Sequence, residues 1–150
     1  MRSVLLALFV LLVLASCGAA HMRARGGHLS RVEDPEPEDY RGRAPVVVLE
    51  GEATYYSDSL AGNETSNGEI YDPGRLTAAS RDLPFGSIVR VTRRDTGASV
   101  LVRVNDRGPF GNEKRILDLS RAAAAELHLL GRGVAPVRAE VLELGKPRKR

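Results

Sequence analysis

Val102-Arg103-Val104-Asn105-Asp106-Arg107-Gly108-Pro109-Phe110 is the stretch whose reading decides the fold. Valines at 100, 102 and 104 share one face of a period-2 pattern, which predicts a strand over residues 99–105. Gly108-Pro109 then turns the chain, because proline fixes φ and brings no N–H to a ladder. Asp106 is thereby held at a strand end, on a rigid element. Outward from this strand the same signal repeats. Residues 87–92 alternate, and Asp95-Thr96-Gly97 sets them at hairpin distance from 99–105. Further β-rich runs fall at 46–56, 76–79, 116–119 and 137–144. One helix interrupts them, with Ser120 as N-cap, Ala122 to Ala125 as strong propagators and Gly131 at the expected C′ position. Many short strands with one helix predict a mainly β fold, a small closed or nearly closed barrel.

The rest of the 150-residue chain is organised around that head, read as residues 46–145. Residues 1–16 carry Arg2 and then an unbroken apolar run from Val4 to Leu14. As a helix that run rises about 16 Å, short of the ~30 Å core of a bilayer. It reads as a secretory signal peptide. Cys17 is the single cysteine, so no intrachain disulfide forms. Leu14-Ala15-Ser16-Cys17 resembles the bacterial lipobox, which implies lipidation of Cys17 and a stable membrane anchor made of several acyl chains. Gly18, rather than Asp, follows the cysteine. By resemblance to sorting rules this favours the periplasmic face of the outer membrane in a Gram-negative cell, and the cell membrane otherwise. Residues 17–45 read as a lipidated flexible tether, small and basic first, then acidic and broken by prolines. Residues 146–150 form a basic tail. The formal net charge of +3 is weak evidence for a polyanion partner, and an exported chain is not expected to meet nucleic acid.

Several chemistries are set aside by the residue inventory. His21 and His28 lie in the tether and His128 on the helix, so no metal-ligand spacing exists and no metal or cofactor is expected. A lipidated Cys17 is no nucleophile, and a Ser-His-Asp triad would have to recruit His128, which reads as a helix-surface residue. Glycine loops for phosphates or dinucleotides are absent. Carboxylates remain. Asp106 continues the Val100, Val102, Val104 face, where partial desolvation would raise its pKa as a general acid requires. Pairing with Arg107 would lower it, and a turn residue bonding backbone N–H groups is the competing role. Glu69 sits in a turn-rich loop and Asp118 lies two residues before the helix cap, so each has a structural alternative as well. Tyr55 and Tyr56 end a strand and suit sugar stacking if exposed.

Taken together these segments resemble the rare lipoprotein A (RlpA) family. The family's Ala-Ser-Trp-Tyr-Gly reads here Ala53-Thr54-Tyr55-Tyr56-Ser57, and its Thr-Ala-Asn-Gly-Glu reads Thr65-Ser66-Asn67-Gly68-Glu69. Its Leu-Thr-Ala-Ala-His is Leu76-Thr77-Ala78-Ala79-Ser80, the stretch at 102–110 is unbroken, and Ile-Asp-Leu-Ser is Leu117-Asp118-Leu119-Ser120. The match covers roughly residues 50–142. It implies a six-stranded double-psi β-barrel with one short α-helix. It also implies an endolytic lytic transglycosylase that cuts peptidoglycan strands stripped of stem peptides, without water and without a cofactor, leaving 1,6-anhydro ends. The resemblance carries the acid role to Asp106, with Glu69 as partner or base. Asp118 matches an aspartate that related barrels, expansins included, put in a sugar groove. Tyr55, Tyr56, Asn105, Arg107 and Ser80 are the substrate-binding candidates. Ser80 replaces the motif histidine and cannot shuttle a proton near neutrality, which keeps open the alternative of a non-catalytic, expansin-like wall-loosening module. No SPOR domain is recognised, and a monomer is expected. If the enzyme reading holds, Glu69, Asp106 or Asp118 should converge in one groove lined by Tyr56.

Overall fold

The computed structural model describes residues 33–146. The signal peptide, Cys17, the first part of the tether and the tail beyond Lys146 lie outside the described residues. Within them the chain forms β1 (Val47–Tyr55), β2 (Thr77–Ala79), β3 (Ile88–Arg93), β4 (Ser99–Asp106), β5 (Arg115–Leu119), α1 (Arg121–Glu126) and β6 (Ala135–Glu143). The six strands close into a barrel in the order β1-β5-β2-β4-β3-β6. The β1–β5 and β2–β4 pairs are parallel, and the other four pairs are antiparallel. Parallel neighbours need long crossovers rather than tight turns. The crossovers are the stretches 56–76 and 107–114 around the short strands, and they carry the candidate residues to one end of the barrel.

The barrel interior is aliphatic. Val89, Val91, Val102, Val104, Val137, Ala139 and Val141 are fully enclosed, with Leu117 and Leu119 beside them. Each fully buried valine or leucine contributes about 1.5–3 kcal/mol relative to exposure. β4 is buried from Val100 through Asn105, on both faces, so its alternation is one of residue type and not of exposure. Its outward Leu101 packs with Ile88, Leu142 and Tyr40.

That Tyr40 corrects the reading of residues 17–45 as tether throughout. Residues 33–45 lie on the barrel. Asp34 pairs with Arg75 at 2.9 Å, Arg43 with Glu143 at 2.9 Å, and Arg90 donates to the Tyr40 carbonyl at 2.9 Å. Pro35 is buried. The segment lacks periodicity because it forms no strand. It stays down because it covers apolar side chains on the outer face and its acids meet barrel arginines.

The helix is also shorter than its composition suggests. It stops at Glu126, and the left-handed residue that ends it is His128 (φ 51°), not Gly131. The amides of His128 and Leu129 donate back to the carbonyls of Ala125 and Ala124, which closes a Schellman motif. This early stop buries both Leu127 and Leu129 completely. Arg93 then donates to the carbonyls of Leu127 and His128, at 3.1 and 2.7 Å.

One irregularity aims the site. Between β2 and β4 the register runs Ala78 to Val104 and then Ala79 to Asp106, leaving Asn105 as an extra residue. A bulge of this kind bends a strand and redirects the side chain that follows.

Candidate active site

Asp106 leaves the bulge fully engaged. Its Oδ1 accepts from the Ser66 amide (2.8 Å), the Ser66 hydroxyl (2.6 Å) and the Arg107 amide (2.8 Å). Its Oδ2 accepts from the Tyr56 hydroxyl at 2.7 Å. Burial pushes its pKa up, but the hydrogen bonds from Ser66, Tyr56 and the two amides outweigh burial and hold the carboxyl below the usual aspartate value. The expectation of a raised pKa is therefore corrected. The strand-face argument counted desolvation and missed the donors, of which Ser66 and Tyr56 lie forty and fifty residues earlier.

That loop is a small hairpin. Glu64 bridges to Ile70, and the tight turn between them closes through Gly68, at φ 88°, whose amide reaches the Thr65 carbonyl at 2.8 Å. Asn67 Oδ1 accepts from the Glu69 amide at 3.0 Å, while its Nδ2 donates to Glu69 Oε1 at 3.0 Å. The turn thus points Glu69 at β4. There Arg103 grips it through two nitrogens, both at 2.8 Å, and Asn105 Nδ2 donates at 3.0 Å. Burial raises the pKa of Glu69, but the hydrogen bonds from Arg103, Asn105 and Asn67 prevail and bring it down to about 2. Glu69 is a permanent carboxylate that braces the loop donating to Asp106.

Asp118 stands on the other side of Tyr56. It sits on β5 between Thr54 of β1 and Ala79 of β2, and the Thr54 hydroxyl donates to its Oδ1. Gly108, at φ 145°, passes so close that a Cβ there would lie 3.4 Å from Asp118 Oδ2. Only glycine takes that backbone angle without strain. Asp118 lines an open groove of about 630 Å³ with Tyr56, Arg107, Phe110 and Arg115. Asp106 lines an adjoining recess of about 150 Å³, and Tyr56 and Leu60 belong to both. The Tyr56 ring stands edge-on to Tyr71, with centroids 4.8 Å apart. Its hydroxyl is raised by burial, by the bond to Asp106 and by the charges of Asp106 and Asp118, so it remains a phenol that donates.

Asp106 and Asp118 therefore meet at Tyr56, whereas Glu69 lies behind Asp106, bound to Arg103. Tyr55 lines the groove as Tyr56 does, with its hydroxyl accepting from the Gly131 amide at 3.3 Å. Arg107 also lines it, its guanidinium stacked 3.7 Å above the Phe85 ring and donating to the carbonyls of Ser80 and Leu83. Asn105 and Ser80 line neither the groove nor the recess. Asn105 is 3% exposed and bound to Glu69, and Ser80 is 2% exposed with its hydroxyl accepting from the Leu83 amide. Ser80 touches Asp106 only through its backbone amide, 3.1 Å from the Asp106 carbonyl.

Four contributors escaped the sequence reading. Ser66 and Thr54 hold the two aspartates, Arg103 clamps Glu69, and Phe110 stands 75% exposed at the groove edge. Arg103 alone gave a signal, since a charge inside a strand of valines needs a buried partner. Among the described residues no cluster of three or more His, Cys, Asp or Glu is placed to hold a metal ion.

Known proteins resemble this chain in sequence and in fold. The profile of the family described as "lytic transglycolase" matches residues 48–139. The "endolytic peptidoglycan transglycosylase RlpA" of Vibrio cholerae is 38% identical over 99% of this chain and 67% of its own length. The corresponding Campylobacter jejuni protein is 46% identical over 67% of this chain and 38% of its own length. A "probable" RlpA of Nostoc is 53% identical over 64% of this chain and 26% of its own length. The chain thus spans two thirds of one such relative and well under half of the other two. Among solved structures, the Streptomyces papain inhibitor superposes with a TM-score of 0.55 at 26% identity, covering 66% of this chain and 97% of that one. An expansin of Clavibacter michiganensis shares the fold at a TM-score of 0.52 and 22% identity, covering 69% of this chain and 53% of that one. A six-stranded closed barrel, a family profile spanning most of the head and one relative matched along nearly the whole chain converge: this chain belongs to the RlpA family of lytic transglycolase-type double-psi β-barrels.

Proposed function

We propose that the chain is an endolytic lytic transglycosylase that cuts peptidoglycan glycan between N-acetylmuramic acid and N-acetylglucosamine. The observation that carries this is Asp118 on the open groove, with Asp106 in the adjoining recess and Tyr56 shared by both. The reaction protonates the glycosidic oxygen, breaks its bond to C1 and forms a bond from the muramoyl C6 oxygen to C1. The C6 hydroxyl then gives up its proton. One proton goes in and one comes out, so a single carboxyl can serve both steps without water. Asp118 has the groove in front of it and only one hydroxyl donor, so it is our candidate for this exchange. Asp106, held ionised, supplies negative charge beside the oxocarbenium-like carbon. This reverses the order of the two aspartates read from sequence and leaves Glu69 as a positioning residue.

Digestion of peptide-free glycan followed by mass spectrometry tests the reading. The native chain should release 1,6-anhydro ends and Asp118→Asn should not. A native chain that binds glycan yet gives no anhydro product would sustain the second reading, a non-catalytic wall-loosening module. That reading has an observation of its own, because Asp106 and Glu69 are both lowered and a serine stands at the motif histidine.

The lipobox-like Leu14-Ala15-Ser16-Cys17 supports export and a lipid anchor at Cys17, with the barrel working in the cell envelope. Metabolic labelling with palmitate, lost in Cys17→Ser, checks the anchor.

A further inference from the structure

We propose that Arg115 is the specificity-determining residue of the groove. It reads the carboxylate that a muramic acid residue exposes once its stem peptide has been removed. The inference rests on the glycan reading above but not on cleavage. Arg115 opens β5 and lines the groove that holds Asp118 and Tyr56. Its Nε is buried without a partner, and its guanidinium makes no ion pair or hydrogen bond with any described residue. Three other arginines show the contrast, each with an acidic partner. Arg93 is paired with Asp95, Arg103 with Glu69 and Arg121 with Asp58.

The surroundings deepen the positive field. The Arg107 guanidinium, on the same groove, hydrogen-bonds among the described residues to the carbonyls of Ser80 and Leu83 and meets no carboxylate. Arg81 donates to the carbonyls of Glu113 and of Arg115 itself, at 3.4 and 3.2 Å. The one acid on the groove wall is Asp118, whose Oδ1 is occupied by Thr54. An unpaired, partly desolvated guanidinium costs free energy in the empty protein, and a ligand carboxylate that pairs with it recovers that cost.

Of the two alternating wall sugars, N-acetylglucosamine is neutral. Muramic acid carries a lactyl ether ending in a carboxyl group, which is charged only when no peptide is attached. With a peptide present, the same position is an uncharged amide. A cation at the groove therefore favours the stripped strand by charge rather than by shape.

Binding of the full chain to peptide-free glycan strands, and to the same strands with their carboxylates converted to methylamides, tests this without requiring turnover. The native chain should bind the charged strands about tenfold more tightly, the worth of one charge-assisted pair. Arg115→Gln should bind both alike, and Arg115→Lys should keep most of the preference. Equal binding of both strands by the native chain overturns the proposal. So does a preference that survives in Arg115→Gln with an unchanged circular dichroism spectrum. Should Arg115→Gln fail to fold, Arg115→Lys decides, because loss of preference there despite a retained charge also overturns it. A native chain that prefers charged strands but yields no anhydro ends leaves this inference standing and removes only the catalytic reading.

Discussion

The ends of β4 and β5 each present an aspartate to Tyr56, and the two are built in opposite ways. At the end of β4, Asp106 receives four hydrogen bonds, and a bidentate Arg103–Glu69 pair braces the loop that supplies two of them. At the end of β5, Asp118 receives one side-chain hydroxyl and otherwise looks onto the groove. Saturation fixes a charge state and a geometry. An open lone pair leaves room for a substrate proton. Under the proposed reaction, β4 and β5 would separate rigidity from reactivity by giving each to a different carboxylate.

The sharpest way to break this comparison is Asp118→Asn. It should lower anhydro-end release by about 100-fold or more, the usual weight of an acid–base group, while unfolding in urea is almost unchanged. If the activity survives, the division of roles between the two aspartates is wrong. Next in size, Arg103→Ala should cost about 3 kcal/mol in urea unfolding, because Glu69 loses its clamp in a site where Arg103 is only 9% exposed on its side chain. A third test uses acid. Glu69 ordinarily titrates near 4.5 and is held at about 2 in the folded chain, so its stabilisation is complete above pH 4.5 and is lost as the pH falls toward 2. Asp106 is lowered too and acts in the same direction. Thermal melts should therefore fall across that window, and Glu69→Gln should flatten the fall. The smallest effect is expected from Tyr56→Phe, about 1 kcal/mol. Loss of its hydroxyl should also raise the Asp106 titration midpoint followed by carboxyl NMR, while Asp118 keeps its bond to Thr54.

How much of this was legible depends on sequence distance. β4 could be read directly, because its valine parity survives into the barrel core. The Ser120 cap was equally local, and its hydroxyl does accept the Ala123 amide at 3.3 Å. The end of α1 was not: Gly131 is left-handed as expected, but the helix has already ended at His128, which lets Leu127 and Leu129 be buried. At the site, Asp106 was visible at a strand end and Asp118 two residues before the helix cap. Their chemistry was not, because it is set by Ser66 and Thr54, which reach them only after the crossovers fold. Ser80 shows the same limit. As a motif position it looked like a substrate contact, yet it caps a turn beneath the site. Residues 33–45 were misread for a related reason, as their order comes from the barrel surface and not from any period of their own.

The placement of β1 has a mechanical consequence. From Val47 to Ala53 it is laddered to β6, and from Glu52 to Tyr55 to β5, so each long side of the strand is occupied over part of its length. The antiparallel bonds to β6 lie across the strand axis, and the parallel bonds to β5 are slanted to it. A pull directed along β1 from its N-terminal end would load these bonds together, in shear, before any one could be peeled away. Tension from that side would reach the barrel as a load shared by two neighbours, and the groove at the far end of β1 would be the last part to feel it.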